Sequence, residues 1–318
     1  MIEHDAVWFH YLAIAFAVSI SALGSGIGVG IAGNAALDAL DRQPKALKEI
    51  RNLLILGIAL IEAAGLFGVI VATLMLYSFE PTKLSIFTAI GEIGIACSIG
   101  MTGLAVGIMS SLPVKASCLA LAQQPFFRGS ITRFMITAQS FIQAPVIFGF
   151  IFALIIKSRA ATATTLAESI QLIAVGTAIG LGTIGPTIGL GIFSSATIKS
   201  LGLNRNAYNV LLKFLVISQA LIETPVTFAL VISAMILAKK ATSILSAVAM
   251  LSAAIAIGLG TIGPGIGSGY TGAATAEVIG KNPDNYRTLL KVSVFSQGFI
   301  DAAAIYAFII GIFILILA

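Results

Sequence analysis

The segment Asn52–Phe79 reads NLLILGIALIEAAGLFGVIVATLMLYSF and carries a single charged residue, Glu62. A helix of about 20 apolar residues crosses the roughly 30 Å of hydrocarbon in a bilayer, since each residue adds about 1.5 Å. Two more segments hold one acid each, Phe214–Ala238 around Glu223 and Val292–Ala318 around Asp301. Five further segments of sufficient length have no charged residue: Tyr11–Leu37, Ile93–Val114, Phe134–Ile156, Ser169–Ile198 and Ala241–Ala276. The sequence therefore predicts an all-α integral membrane protein with eight spans.

Charge is scarce in this chain and is concentrated in particular loops. Only 10% of the 318 residues are charged, whereas soluble domains carry about 25% to cover their surface. Of the 18 Lys and Arg residues, 13 lie between the two spans of a pair: Arg42, Lys45, Lys48, Arg51, Lys115, Arg128, Arg133, Lys199, Arg205, Lys213, Lys281, Arg287 and Lys291. The connections between pairs hold the others: Lys83, Lys157, Arg159, Lys239 and Lys240. The positive-inside rule therefore predicts that the loops within pairs are cytoplasmic and that both termini lie on the opposite side.

The eight spans form an internal repeat. Four segments align around one polar position: Ala59–Ala64, Ser140–Pro145, Ala220–Pro225 and Gly298–Ala303. Their central residues, Glu62, Gln143, Glu223 and Asp301, are 81, 80 and 78 residues apart. A polar turn lies about 18 residues before each of them, at Arg42-Gln43-Pro44, Gln123-Gln124-Pro125, Leu203-Asn204-Arg205 and Lys281-Asn282-Pro283. The sequence predicts four tandem helical hairpins, at 1–80, 81–160, 161–240 and 241–318, which all enter the membrane in the same orientation because each holds two spans.

The first helix of each predicted hairpin is rich in glycine. Glycines alternate along Gly24–Gly30, Gly185–Gly191 and Gly263–Gly269, and the second repeat weakens the pattern to Ala105–Ser111. Small residues four apart let membrane helices approach closely, which is common in helix packing of every kind. Because the glycine runs recur in register with the carboxylates, we interpret them as the contact surface of a tightly curved inner ring of helices.

The mid-membrane carboxyl groups are the predicted functional residues. An ionised acid at the bilayer centre costs at least about 2.5–3.5 kcal/mol, so an acid inside a membrane span is functional by default. Glu62, Glu223 and Asp301 share one repeat position, which favours cation transport over simple hydrogen bonding between helices. Contact with lipid favours the neutral form, protonated or cation-bound, and a cation on a neighbouring protein favours the ionised form. No Lys or Arg lies in mid-span, so that cation must belong to another subunit.

The order of a glycine-rich helix, an Arg-Gln-Pro turn and Ala59-Leu60-Ile61-Glu62-Ala63 resembles the c subunit (proteolipid) of F-type rotary ATP synthases. The resemblance is closest over residues 11–78 and extends, with more divergence, over nearly the whole chain. It implies a homo-oligomeric rotor ring in membrane lipid, an a subunit whose arginine meets the ion-binding residues Glu62, Glu223 and Asp301, and a central stalk. The implied stalk-contacting residues are Arg42, Gln43, Pro44, Gln123, Gln124, Pro125, Asn204, Arg205, Lys281, Asn282 and Pro283.

The chain departs from that family pattern in two respects. Four hairpins in one chain resemble the fused V-type proteolipids, so the resemblance leaves F-type and V-type assembly open. Gln143 occupies the carboxylate position of the second repeat, and its amide group cannot load and release a proton near neutral pH. We therefore expect three ions per four hairpins, which favours ATP-driven pumping over synthesis at a given driving force.

The transported ion is predicted to be a proton, with sodium as the alternative. Repeats three and four offer polar neighbours that suit sodium, namely Gln219, Thr224, Ser268, Ser296 and Gln297. Repeat one offers none, because Ile58, Ala63 and Val29 stand around Glu62. Every site passes the same stator, so the least polar site determines which ion is carried.

The sequence weighs against several other functions. A self-contained eight-helix channel or secondary transporter would need a polar path and an internal counter-charge, and a structural or fusion proteolipid would leave the acids vestigial. No Gly-x-x-x-x-Gly-Lys-Ser/Thr run is present, so we expect a non-catalytic subunit without nucleotide, cofactor or metal. Cys97 and Cys118 lie too far apart to pair. Met1–Asp5 is acidic, so no cleavable signal peptide is predicted, and no basic domain for nucleic acid exists.

Overall fold

The computed structural model of this chain describes residues 2–80 and 84–317, so that Lys83 lies outside the described residues. The described residues are almost entirely helical and contain no β-strand. The helices are α1 (Ile2–Arg42), α2 (Leu47–Tyr77), α3 (Ile86–Ile95), α4 (Met101–Gln123), α5 (Arg128–Ala160), α6 (Leu166–Leu203), α7 (Tyr208–Ala238), α8 (Ile244–Gly260), α9 (Ile262–Lys281) and α10 (Tyr286–Leu317).

These ten helices make eight rods of membrane-spanning length. A π-helical segment, Ala96–Gly100, joins α3 to α4, and α8 meets α9 at Thr261. Within the described part of the chain, eight helices are long and apolar enough to cross a bilayer, with mean hydropathies of 1.5 to 2.6. The predicted all-α architecture with eight spans is confirmed, and the chain is a multi-pass membrane protein.

Short 3-10 turns connect the two helices of each pair, at Pro44–Ala46, Pro125–Phe127, Arg205–Ala207 and Pro283–Asn285. Three of them begin with proline, which lacks the N–H that a first helical position leaves unbonded and already has a helical φ. We call α1–α2 hairpin 1, α3–α5 hairpin 2, α6–α7 hairpin 3 and α8–α10 hairpin 4. Because each hairpin consists of one rod, a turn and a second rod that returns beside the first, all four turns lie at one end of the molecule. The connections between hairpins lie at the other end.

The hairpins pack side by side in two layers. The first rods, formed by α1, α3–α4, α6 and α8–α9, pack against one another in chain order and make the inner layer. The second rods, α2, α5, α7 and α10, make the outer layer. The rod α6 in the middle is buried over most of its surface, and α10 is the most exposed. The result is a four-hairpin arc in which hairpins 1 and 4 form the two edges.

Glycine sets the close spacing of the inner layer. A Cβ atom on Gly107 would collide with the backbone of Gly24 and Ser25 in the preceding hairpin. A Cβ atom on Gly265 would collide in the same way with the backbone of Gly185 and Pro186. Only a residue without a side chain allows helices to pack backbone to backbone, as small residues do at membrane helix interfaces. The glycine pattern in the sequence therefore corresponds to helix–helix contacts of the inner layer.

Candidate ion-binding site

The repeated polar position lies at one depth in all four outer helices. Glu62, Gln143, Glu223 and Asp301 each lie 15 residues after the first residue of α2, α5, α7 and α10, respectively. At helical rise this places each of them about 22 Å from the helix start, near the middle of the rod. The outer layer thus carries a row of three carboxyl groups and one amide, all at the same level.

Gln143 takes part in contacts between the first two hairpins. Its Nε2 donates to the Leu60 carbonyl of α2 at 2.7 Å and to Ser110 Oγ of α4 at 3.0 Å. The amide therefore links hairpin 2 to the backbone that precedes Glu62. A protonated carboxyl group has a donor in the same place as this amide nitrogen, so Gln143 stands in for the neutral form of a carboxylic acid at the repeated position.

The three carboxyl groups differ in how much protein covers them. Glu62 is exposed on α2, and Glu223 is partly buried on α7. Asp301 is only 7% exposed, and its Oδ1 accepts a hydrogen bond from Ser268 Oγ of α9 at 3.4 Å. Exposure follows position in the arc: Glu62 lies in hairpin 1, at one edge of the described arc, whereas Glu223 and Asp301 each pack against the hairpin before their own.

A glutamine lies one turn before the repeated position in three hairpins. Gln139 Nε2 donates to the Ser110 carbonyl at 2.7 Å, and Gln219 Nε2 donates to the Ala138 carbonyl at 3.1 Å. Gln297 Nε2 donates to Ser218 Oγ at 3.0 Å, across the boundary between hairpins 3 and 4. Gln139 was not predicted from the sequence, although its spacing from Gln143 equals that of Gln219 from Glu223. The amide groups of these glutamines stabilise helix contacts beside the carboxyl row.

The other predicted ion-coordinating neighbours have different surroundings. Ser268 is buried and contacts Asp301, as described. Thr224 Oγ1 donates to the Ala220 carbonyl within its own helix at 3.2 Å, so its hydroxyl group is already engaged. Ser296 is partly buried on α10. Among the residues that the structure describes, a predicted polar neighbour contacts the repeated carboxyl group only at Asp301.

The turns hold the predicted stalk-contacting residues. Gln124 Nε2 donates to the Gly202 carbonyl at 2.6 Å, and Asn204 Nδ2 donates to the Gly280 carbonyl at 2.8 Å. Both side chains therefore bind the next hairpin. Arg42 is exposed and forms a bidentate pair with Asp38, with both N–O distances 2.9 Å. The other exposed residues of the predicted set are Pro44, Gln123, Arg205, Lys281 and Asn282, and Gln43, Pro125 and Pro283 are partly exposed.

A buried ionisable pair at the opposite end of the molecule was not predicted. His10 Nδ1 of α1 lies 2.5 Å from Glu92 Oε2 of α3, and both residues are at least 96% buried. The imidazole ring stacks on Phe79, with ring centroids 4.7 Å apart. In hairpin 3, Gln171 binds neutral partners at this end instead, the carbonyls of Ile236 and Lys239 at 2.7 Å each. The pair joins hairpins 1 and 2 away from the carboxyl row.

Comparison with known proteins gives one consistent family. The family model of the ATP synthase c subunit matches residues 12–75 and again residues 251–314, which lie in hairpins 1 and 4. The ATP synthase c subunit of Synechococcus sp. (strain WH7803) is 42% identical over 67 residues, 21% of this chain and 82% of that protein. The c subunit of Syntrophomonas wolfei is 41% identical over 64 residues, 20% of this chain and 89% of that protein. With its hairpin repeated, this chain belongs to the family of ATP synthase c subunits.

Proposed function

We propose that this chain is the rotor-ring subunit of a rotary ATP synthase or ATPase and that it carries protons on Glu62, Glu223 and Asp301. The observation that supports this most directly is the row of carboxyl groups, which lie at one depth in the outer layer of a curved array. A carboxyl group in this layer meets lipid or a neighbouring subunit in turn as the array rotates. The family relationship supports the same role.

In this mechanism each carboxyl group alternates between two states. Facing lipid it is neutral, because a charge in hydrocarbon is costly, and its proton is donated to a nearby acceptor. The contact from Gln143 to the Leu60 carbonyl, 2.7 Å long, illustrates the kind of acceptor that the backbone offers. Facing the arginine of an a subunit, the carboxyl group is ionised and releases its proton. The chain itself supplies no catalysis in this scheme, and ATP chemistry belongs to other subunits.

Sodium is a second candidate for the transported ion, and one observation favours it. Gln219 Oε1 is buried, and among the described residues it has no hydrogen-bond partner, so it is a free oxygen ligand one turn from Glu223. Glu62, in contrast, has Ile58 one turn before it. A cation such as sodium needs several oxygen ligands, whereas a proton needs the carboxyl group and one acceptor. Because all sites serve one stator, the apolar surroundings of Glu62 favour the proton.

The basic turns set the proposed orientation and the proposed stalk contacts. They would face the cytoplasm and bind the central stalk, with Arg42, Gln123, Arg205 and Lys281 as the exposed contacts. Both termini would lie on the opposite side of the membrane. Gln124 and Asn204 would contribute less to stalk binding, because their side chains already bind neighbouring hairpins.

Covalent labelling tests the proposed function. A hydrophobic carbodiimide reacts with protonated carboxyl groups in apolar surroundings, so peptide mapping should find it on Glu62, Glu223 and Asp301 and not on exposed Asp38. ATP-driven acidification of vesicles that contain the complete complex should fall as labelling rises. Sodium ions at fixed pH should not protect against labelling, and protection would identify sodium as the ion. Unchanged transport after all three sites are labelled would refute the proposal and favour a structural role.

Replacement of Gln143 by glutamate should add a fourth carrier. The neutral acid would keep a donor toward the Leu60 carbonyl, so we expect Q143E to fold and assemble. Carbodiimide labelling should rise from three sites to four per chain, and the ratio of ions moved to ATP hydrolysed should rise in proportion. Q143L, which has neither donor nor acid, serves as the control and should keep three sites. A Q143E chain that still labels at only three sites would contradict the equivalence of this position.

A further inference from the structure

We propose that a cavity between hairpins 2 and 3, at the end of the molecule opposite the turns, binds the phosphate group of an anionic phospholipid. The residues that we assign to the phosphate are Arg159, Lys239 and Lys240, which line this cavity of about 380 Å³. The inference does not depend on the proposed rotor role. The cavity lies at the end of α7, which is 15 residues beyond Glu223 and so well away from the row of carboxyl groups.

The basic residues at this end of the molecule are few and concentrated. The connections between hairpins hold five of the 18 Lys and Arg residues, and three of those five line this one cavity. The positive-inside rule places cations in the opposite set of loops, so it does not account for this cluster. A single cation at a helix end needs only to reach the membrane interface. Three cations around one cavity repel one another, and an anion in the cavity would stabilise them.

The protein supplies little negative charge to this cavity. Its one acid is Glu168, whose Oε2 accepts hydrogen bonds from the backbone N–H groups of Thr164 at 2.7 Å and Thr165 at 3.3 Å. These bonds belong to the capping box at the start of α6. Neither Arg159 nor Lys240 forms an ion pair with a described residue. Three cations and one acid leave the cavity with a formal charge of +2.

A buried glutamine holds the segment that carries the two lysines. Gln171 is 7% exposed, and its Nε2 donates to the carbonyls of Ile236 and Lys239 at 2.7 Å each. Its Oε1 accepts from the backbone N–H of Ala241 at 3.1 Å. The Lys239 ammonium group also donates to the Leu315 carbonyl of α10. Because the backbone around both lysines is already fixed, binding of a ligand orders little additional structure.

The equivalent cavity at the preceding boundary has a different charge. Between hairpins 1 and 2, a cavity of about 370 Å³ is lined by two acids, Glu80 and Glu92, and by one Lys, Lys157. The repeat spacing of 80 residues makes Leu172 the equivalent of Glu92, and Leu172 lines the cavity between hairpins 2 and 3. The first cavity therefore contains its own counter-charge. The second has a leucine in place of that acid and more cations, so it requires an external anion.

The position of the cavity favours a phospholipid over a free phosphate ion. Arg159 lies in the last turn of α5, and Lys239 directly follows the last residue of α7, so both cations lie at the ends of spans, where lipid headgroups lie. Leu172 and Leu237 add apolar surface to the same wall. Arginine binds phosphate oxygens through paired N–H donors and lysine binds them as a point charge. Basic pockets between spans commonly bind anionic headgroups.

Native mass spectrometry of the delipidated full chain tests the proposal, with phosphatidylglycerol as the probe. We expect one phosphatidylglycerol per chain, held at least roughly tenfold more tightly than phosphatidylcholine, whose choline group cancels the phosphate charge. R159Q/K240Q changes two exposed side chains and should fold. It should lower the affinity for phosphatidylglycerol at least roughly tenfold. The matched control K45Q/K48Q removes the same charge from exposed positions at the turn of hairpin 1 and should leave the affinity unchanged.

Thermal unfolding in detergent identifies the source of the phosphate. Phosphatidylglycerol should raise the unfolding temperature of the wild type and not that of R159Q/K240Q, and inorganic phosphate at the same concentration should raise neither. An equal rise with inorganic phosphate would overturn the phospholipid as the occupant. Equal retention of the two lipids, or equal losses in both double variants, would overturn the site itself. Neither result bears on carbodiimide-sensitive transport, so failure of this site leaves the proposed rotor role intact.

Discussion

ATP-driven ion transport is expected to fall further in E62Q and E223Q than in D301N, although each variant leaves two carboxyl groups per chain. Hairpins pack in chain order, so Gln143 lies between Glu62 and Glu223. E62Q and E223Q therefore place two neutral positions side by side. D301N places its new amide beside Glu223 and, in the proposed ring, beside Glu62 of the next chain, so that neutral and acidic positions alternate.

The physical reason is the cost of leaving the arginine of the proposed a subunit without a counter-charge. A buried charge that has lost its partner costs about 3–5 kcal/mol, and about 1.4 kcal/mol is a tenfold change in rate. When two neutral positions are adjacent, the ring must turn through both of them before the arginine meets another carboxylate. The cost of the unpaired arginine therefore applies over a longer part of the rotation. We expect losses of roughly a hundredfold or more for E62Q and E223Q and a loss at least roughly tenfold smaller for D301N. The measurement is the initial rate of acidification at matched complex content, with E62D and E223D as controls that keep the acid. Equal losses in all three amide variants would show that the order of carriers is irrelevant.

Removal of His10 is expected to produce the largest loss of stability. Glu92 is 4% exposed, and its carboxylate lies 2.5 Å from His10 Nδ1. H10A would remove the hydrogen-bond partner of this buried carboxyl group, and breaking a buried pair in this way costs about 3–5 kcal/mol. The stacking contact with Phe79 would be lost as well.

Thermal unfolding of the detergent-purified chain measures this effect. H10A should unfold at a clearly lower temperature than the wild type. The double variant H10L/E92M, which replaces the pair by apolar side chains of similar size, should recover most of the loss, because it removes the buried acid together with its partner. A wild-type unfolding temperature for H10A would mean that the pair contributes nothing to the junction of hairpins 1 and 2.

The architecture was predictable because its determinants are local and repeated. Each span can be recognised as a long apolar stretch with at most one charged residue. The repeated polar position then shows how the hairpins align with one another. The 3-10 turns follow from proline at their first position in three hairpins. The family relationship was visible in the single stretch Ala59–Ala63 and its turn, and the family-model match to residues 12–75 agrees with it.

Features that depend on contacts between distant residues were not predictable. The π-helical segment Ala96–Gly100 contains Ser98, whose hydroxyl group donates to the Gly149 carbonyl at 2.7 Å. The break between α8 and α9 falls at Thr261, whose hydroxyl group donates to the Gly182 carbonyl at 3.1 Å. In both places the inner rod is interrupted where a side chain bonds a neighbouring rod. No local sequence pattern specifies such a partner.

The surroundings of the proposed ion-binding position were predictable only in part. Repeat alignment identified the position itself, which the structure places at one depth in every outer helix. The alignment did not reveal that Gln143 would bond to a different hairpin, since Leu60 lies 83 residues earlier. The His10–Glu92 pair escaped prediction for the same reason, because the two residues are 82 positions apart.

An image of the detergent-purified ring, viewed along the membrane normal, tests the central claim most directly, because it counts hairpins and shows whether they close. Since each chain contributes eight spanning helices, we predict a closed double ring. The number of its hairpins should be a multiple of four, with the glycine-rich helices inside. An isolated eight-helix particle, or a closed ring whose hairpin count is not divisible by four, would contradict the proposed rotor.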